Sequence, residues 1–159
     1  DYFSTTSSST TTTLPPVIIS SEDNPLGVNW DVWGLIEECD QNDYVVGFCT
    51  KYQPLQGVGL CIYDDTALYG VELICSNGKK LKSSVEKILQ NEDNTATNII
   101  RLKCLDGSNI SSLEGEWSTS IYSKSCPYGA IVGLETQVHE NATDNTALNN
   151  IKFICKAIN

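Results

Sequence analysis

The chain has 159 residues, 20 acidic against 10 basic side chains (net charge -10), seven cysteines and no methionine. That balance argues against nucleic acid and anionic membrane as partners, since both need a positive counter-field. The longest aliphatic run, Val17-Ile18-Ile19, is far too short to span a bilayer.

The length suits one domain. There is no CxxC, the only histidine is His139, and no motif for a nucleotide, haem or zinc is present. The reading therefore calls for no cofactor and no metal. Seven cysteines with that spacing, and the sequons at Asn109 and Asn141, point to a secreted, extracellular, disulfide-bonded glycoprotein. A start at Asp1, without methionine or an apolar leader, reads as a processed mature form.

Residues 1–16 read as a tail. Ser4 to Thr13 are all Ser or Thr, a composition that cannot bury a core and suits either a disordered terminus or an O-glycosylated stalk. Residues 17–159 read as a single domain built from repeats. Twelve-residue blocks start at Asp64, Asp93 and Asp144 and end at Cys75, Cys104 and Cys155, sharing Asp, Thr-Ala and the terminal Cys. After the first two cysteines come Asn77-Gly78 and Asp106-Gly107, which predict strand, two-residue type I′ turn, strand. The third block stops before its return strand, and Val17–Ser20 is the expected substitute, closing a ring of units at about 22–75, 76–104 and 105–155.

A second block occurs twice. Trp30 stands nine residues before Cys39, and Trp117 nine before Cys126; each cysteine is followed by a β-branched, Gly-containing strand, at Tyr44–Phe48 and Tyr128–Leu134. The middle unit lacks this half, so its wall is predicted to be incomplete.

The triple Asp-x-Thr-Ala block, the Trp30-Asp31-Val32-Trp33-Gly34 motif and Cys126-Pro127-Tyr128-Gly129 together resemble the vitelline membrane outer layer protein I family. The resemblance implies an all-β fold: a β-prism of three pseudo-symmetric Greek-key sheets, here with the second incomplete. It also implies a secreted protein of egg coats and mucosal fluids, with a suggested action on N-acetylglucosamine oligomers. In whole units the Cys after the Trp motif should meet the Cys ending the repeat strand, giving Cys39–Cys75 and Cys126–Cys155. Cys49 and Cys61 then flank an insertion and can staple it. Cys104 is left over, either as a free thiol or as an intermolecular partner.

Site candidates follow from the same residues. Asp64, Asp65, Asp93 and Asp144 sit at repeat corners, where a carboxylate caps a turn; no catalytic residue is assigned. Asp64 and Trp33 are the candidate sugar contacts. Trp30 and Trp117 are expected in the core, and Tyr44, Tyr122 and Tyr128 are further aromatics that could stack on sugars. Lys80 and Lys82 are expected on one strand face and Lys79 on the other. The function read from all this is a structural protein of an extracellular coat, matrix or filament, non-enzymatic rather than enzymatic. It would self-assemble or join another extracellular chain. The alternative is a protein that binds N-acetylglucosamine oligomers or transfers glycosyl groups.

Overall fold

The computed structural model describes residues 14–23, 32–52, 68–83, 99–112, 122–138 and 148–158. Ten strands fall in chain order as β1 (Val17–Ser20), β2 (Val32–Trp33), β3 (Glu37–Glu38), β4 (Val45–Tyr52), β5 (Leu68–Cys75), β6 (Lys80–Lys82), β7 (Arg101–Lys103), β8 (Asn109–Ser111), β9 (Ala130–Val138) and β10 (Leu148–Lys156). The described residues contain no α-helix, only the 3-10 turn Ser21–Asp23 after β1. The strands form three antiparallel sheets, an all-β architecture consistent with a β-prism.

The repeat explains the sheets. The strands that lead to or through the repeated cysteines, β5, β7 and β10, each carry a return strand beside them: β6 on β5, β8 on β7, and β1 on β10, with Val17 opposite Cys155 and Ser20 opposite Lys152. β1 thus supplies the return strand that the third unit lacks. A serine marks the equivalence. Ser83, Ser112 and Ser21 follow the three return strands, and their hydroxyls accept the backbone N–H of Val71, Ile100 and Ile151 at 3.1, 3.0 and 2.9 Å. Those three amide-bearing residues are themselves equivalent, each four before its repeat cysteine, and all three are buried in one core cluster. Leu73 and Leu134 join them there, and Phe153, Leu102 and Phe48 pack against it. Alternation along each strand sends these apolar side chains inward and the lysines outward.

The hairpin turns differ from the expected type. A type I′ turn needs positive φ at both central residues, but only Gly78 (φ 88°) and Gly107 (φ 87°) have it. Gly78 N–H donates to the Cys75 carbonyl and Cys75 N–H to that of Lys79, so the loop has three residues, a type I turn followed by a left-handed glycine. The Asn77 and Asp106 side chains accept the amides of Lys79 and Ser108, which holds the polar residue at negative φ and leaves the left-handed step to glycine.

The strand beside the repeat strand is β4 in one wall and β9 in another. The first wall, in order β1-β10-β9, has a fourth position shared by β2 and β3, which both pair with β9. The second wall is β4-β5-β6 and the third is β7-β8. Among the described residues the second wall thus has three strands and the third two. The segment bearing Trp33 follows β1 and docks on β9, while the strand after Cys39 joins β5.

Among the described residues two disulfides are present, Cys39–Cys75 and Cys126–Cys155, each with Cα atoms 5.7 Å apart. Each ties the segment before a Gly-containing strand to the end of a repeat strand. The expected Cys49–Cys61 staple is not formed: Cys49 is a free, exposed thiol in the middle of β4, opposite Glu72, and Cys61 lies outside the described residues. Being in a regular strand rather than in the insertion, Cys49 projects from the sheet face. Cys104 is also free, and half-buried.

Candidate functional site

Three surface regions gather polar or reactive groups. On the outer face of the first wall, Lys152 lies opposite Glu135, with Nζ 3.3 Å from its carboxylate and 3.4 Å from the centroid of the Trp33 ring. A cation on the ring face is attracted by the π-quadrupole, and the adjacent carboxylate holds it there. Beside this trio, Asn150 donates to Gln137 (2.8 Å) and accepts from Ser21 (3.0 Å), so two amides that are nearly inaccessible to solvent are paired with each other. Trp33, the candidate sugar contact, therefore has one ring face committed to Lys152.

The second region is the outer face of β4-β5-β6. Lys80 and Lys82 flank buried Leu81 and share a face, whereas Lys79 precedes the strand and is exposed. Lys80 bonds Glu72 at 2.7 Å and Lys79 bonds Asp40 at 2.8 Å. The hydrogen bond from Lys80 holds the Glu72 carboxyl below its ordinary range, and the reciprocal bond raises the Lys80 ammonium. The Asp40 carboxyl is lowered first by its bond from Lys79, and that of Asp106 by its bonds from Ser108. Cys49 stands among these cations, in register with Glu72, which in turn faces Lys82.

The third region lies between the second and third walls. Val46, Gly47, Phe48 and Thr50 of β4 face Ile110, Ser111 and Ser112 across a cleft of about 530 Å³. In the first wall the same place is filled. Aligning Val45-Val46-Gly47-Phe48 with Ile131-Val132-Gly133-Leu134 makes Gly47 the counterpart of Gly133. There β3 crosses so closely that a Cβ on Gly133 would stand 2.6 Å from the Glu37 carbonyl oxygen. Among the described residues, a Cβ on Gly47 would meet only the Ile74 side chain, at 3.9 Å. Val132 is 5% exposed and Val46 is 53% exposed. Among the described residues no strand pairs with β4 on its side away from β5. Among the described residues no three His, Cys, Asp or Glu side chains converge as a metal site would require.

These features can be set beside known proteins. The sequence pattern of the family described as vitelline membrane outer layer protein I matches two stretches, residues 20–92 and 80–158. The chain belongs to this family. A vitelline membrane outer layer protein 1 homolog of Mus musculus is similar to it, with 29% identity over 165 aligned positions, 82% of this chain and 80% of the relative. The Homo sapiens homolog of the same name is 29% identical over 163 positions, 81% and 79% of the two chains.

Several of the residues singled out in the sequence lie beyond the described segments. Asp64, Asp65, Asp93 and Asp144 lie outside the described residues, as do Trp30, Trp117, His139 and Asn141. Asn109 is exposed on β8, with its side chain open to solvent. Tyr128 is half-buried and its hydroxyl donates to the Pro15 carbonyl, which ties residue 15 to the start of β9. Tyr122 has the Lys124 ammonium 5.7 Å from its ring centroid, and Tyr44 is half-buried before β4. The sequence reading overlooked the three serine hydroxyls and the Asn150–Gln137 pair. The signal for the serines was present, since the aligned repeats end at Ser83 and Ser112 and the replacement strand runs into Ser21.

Proposed function

We propose that this chain is a secreted, non-enzymatic structural component of an extracellular coat, matrix or filament. The single observation that carries the reading is the match of residues 20–92 and 80–158 to the family described as vitelline membrane outer layer protein I; among the described residues β4 pairs only with β5, which leaves its other edge without a described partner. Unpaired strand edges are templates for association unless they are covered. Membership of a family named for the outer layer of the vitelline membrane supports an extracellular coat, and paired disulfides suit an oxidising compartment.

The glycan alternative has less support, because one face of the Trp33 ring is held against Lys152; Asp64 lies outside the described residues. Sedimentation velocity over a hundredfold range of protein concentration tests the proposal. The expected result is a weight-average mass that climbs with concentration, and a monomer throughout would overturn it.

A further inference from the structure

The turn between β5 and β6 holds the one Asn-Gly step of the chain, Asn77-Gly78, and both residues are exposed. Glycine leaves the backbone nitrogen of that step unshielded: a Cβ on Gly78 would meet nothing within 4 Å. Such a step can close on itself. The Gly78 nitrogen gives its proton to solvent and attacks Asn77 Cγ, the new N–C bond completing a succinimide ring. The Cγ–Nδ2 bond breaks, and the nitrogen takes a proton from water and leaves as ammonia. Water then opens the ring at one of its two carbonyls, giving aspartate or isoaspartate.

The Asn77 side chain is tied at both of its polar atoms. Oδ1 accepts the Lys79 N–H at 2.9 Å, and Nδ2 donates to Asp40 Oδ2 at 3.0 Å. The other Asp40 oxygen is bound by Lys79 Nζ at 2.8 Å. These bonds act in opposite senses. The Lys79 amide draws charge from the Asn77 carbonyl, which makes Cγ a better target. The Asp40 carboxylate fixes Nδ2 in place, and Lys79 holds that carboxyl below its ordinary range, so it has no proton to give a leaving nitrogen. The Gly78 N–H, donated to the Cys75 carbonyl at 2.8 Å, is kept from the solvent that would remove its proton. At the equivalent turn Gly107 N–H likewise reaches the Cys104 carbonyl, and Asp106 accepts the Ser108 amide. The Asp40 contact is what the Asn77 turn has in addition.

We propose that Asn77 is a deamidation site that the Asp40 carboxylate holds closed. Asp40 follows Cys39 and Asn77 lies just beyond Cys75, so the Cys39–Cys75 bridge keeps carboxylate and amide together. Asp106 shows that aspartate itself suits this turn, so what deamidation alters is the contact with Asp40. A carboxylate then stands where a donor stood, and two like charges replace a hydrogen bond. With the ammonia lost, the latch does not re-form. The proposal is independent of the assembly reading.

The test incubates the full folded chain at mildly alkaline pH and weighs the peptide carrying Asn77 for conversion of amide to acid. The same chain, reduced and unfolded in urea, is the unrestrained reference. Wild type is expected to convert at least about tenfold more slowly than that reference, and Asp40→Ala about fivefold faster than wild type with circular dichroism unchanged. Asp40→Asn is expected to stay near wild type, because its Oδ1 can still accept from Nδ2. Should Asp40→Ala fail to fold, Lys79→Met releases Asp40 while keeping the backbone amide, and is expected to quicken conversion in the same sense. An unfolded reference that leaves Asn77 intact would overturn the site. A folded wild type as fast as the reference, a folded Asp40→Ala or Lys79→Met no faster than wild type, or an Asp40→Asn as fast as Asp40→Ala would overturn the role given to Asp40.

Discussion

At the scale of single residues, the three serine hydroxyls that follow the return strands do more than surface serines usually do. Each accepts an amide belonging to a buried repeat residue, and Ser83 and Ser112 also donate their own backbone N–H to the carbonyl of that same residue, at 2.8 and 2.9 Å. Replacing Ser83 by Ala leaves the Val71 N–H without that acceptor, and an unsatisfied buried donor costs about 1–3 kcal/mol. Urea denaturation of Ser83→Ala is expected to show a lower midpoint with an unchanged slope, and Ser83→Thr is expected to recover most of the loss. Ionisable residues act more weakly, because they are exposed. Glu72 is held below its ordinary value of 4.5, so its contact with Lys80 contributes above that pH and is lost as pH falls through the lower folded value. Lys80 is raised above 10.5, so the same contact persists in alkali and is lost only as pH climbs through the higher folded value. In Lys80→Met the Glu72 carboxyl is expected to titrate closer to 4.5, as followed by NMR; an unmoved midpoint would contradict the assigned cause. The two free thiols differ in access. Iodoacetamide on native protein is expected to label exposed Cys49 well before half-buried Cys104, which peptide mass spectrometry can time.

At the scale of elements, much was legible in the sequence because the molecule repeats. The pairing of β1 with β10 follows from counting units and finding one return strand short, and the two disulfides join the cysteines that whole units place together. The turn geometry was not legible. Asn-Gly and Asp-Gly serve both a two-residue loop and the last step of a three-residue one, and the choice falls to how the flanking strands register. The fate of Cys49 was hidden for a related reason. Cysteines on either side of an insertion suggest a staple, but β4 runs on through Tyr52, so Cys49 belongs to the sheet. Nor could the sequence show that a Trp-bearing segment docks on a strand of a different unit. The aspartates of the repeat corners lie outside the described residues, so the candidate site was legible only in Trp33 and in the basic residues around β6.

At the scale of the whole molecule, the walls meet over one apolar core to which all three units contribute equivalent side chains. Leu73 is fully buried at its centre, and Leu73→Ala is expected to cost about 2–5 kcal/mol, measured as a shift in denaturant midpoint. Because each wall leans on the next through that core, thermal unfolding is expected to be a single transition with intact disulfides, and two resolved calorimetric peaks would show the walls melting apart. The two bridges hold different walls, Cys39–Cys75 at β5 and Cys126–Cys155 at β10, and each is worth about 2–4 kcal/mol.

The pairing of β1 with β10 also sets an order of events. Val17 lies opposite Cys155, so the earliest described strand has no place in a sheet until the last described strand has been synthesised. Everything between them can begin to form during translation, while β1 waits and β10 keeps an unpaired edge. Such a long-range pairing is slow to find. A newly made molecule therefore passes through a stage with its first wall still open, and the pairing of β1 with β10 is the step that removes that edge.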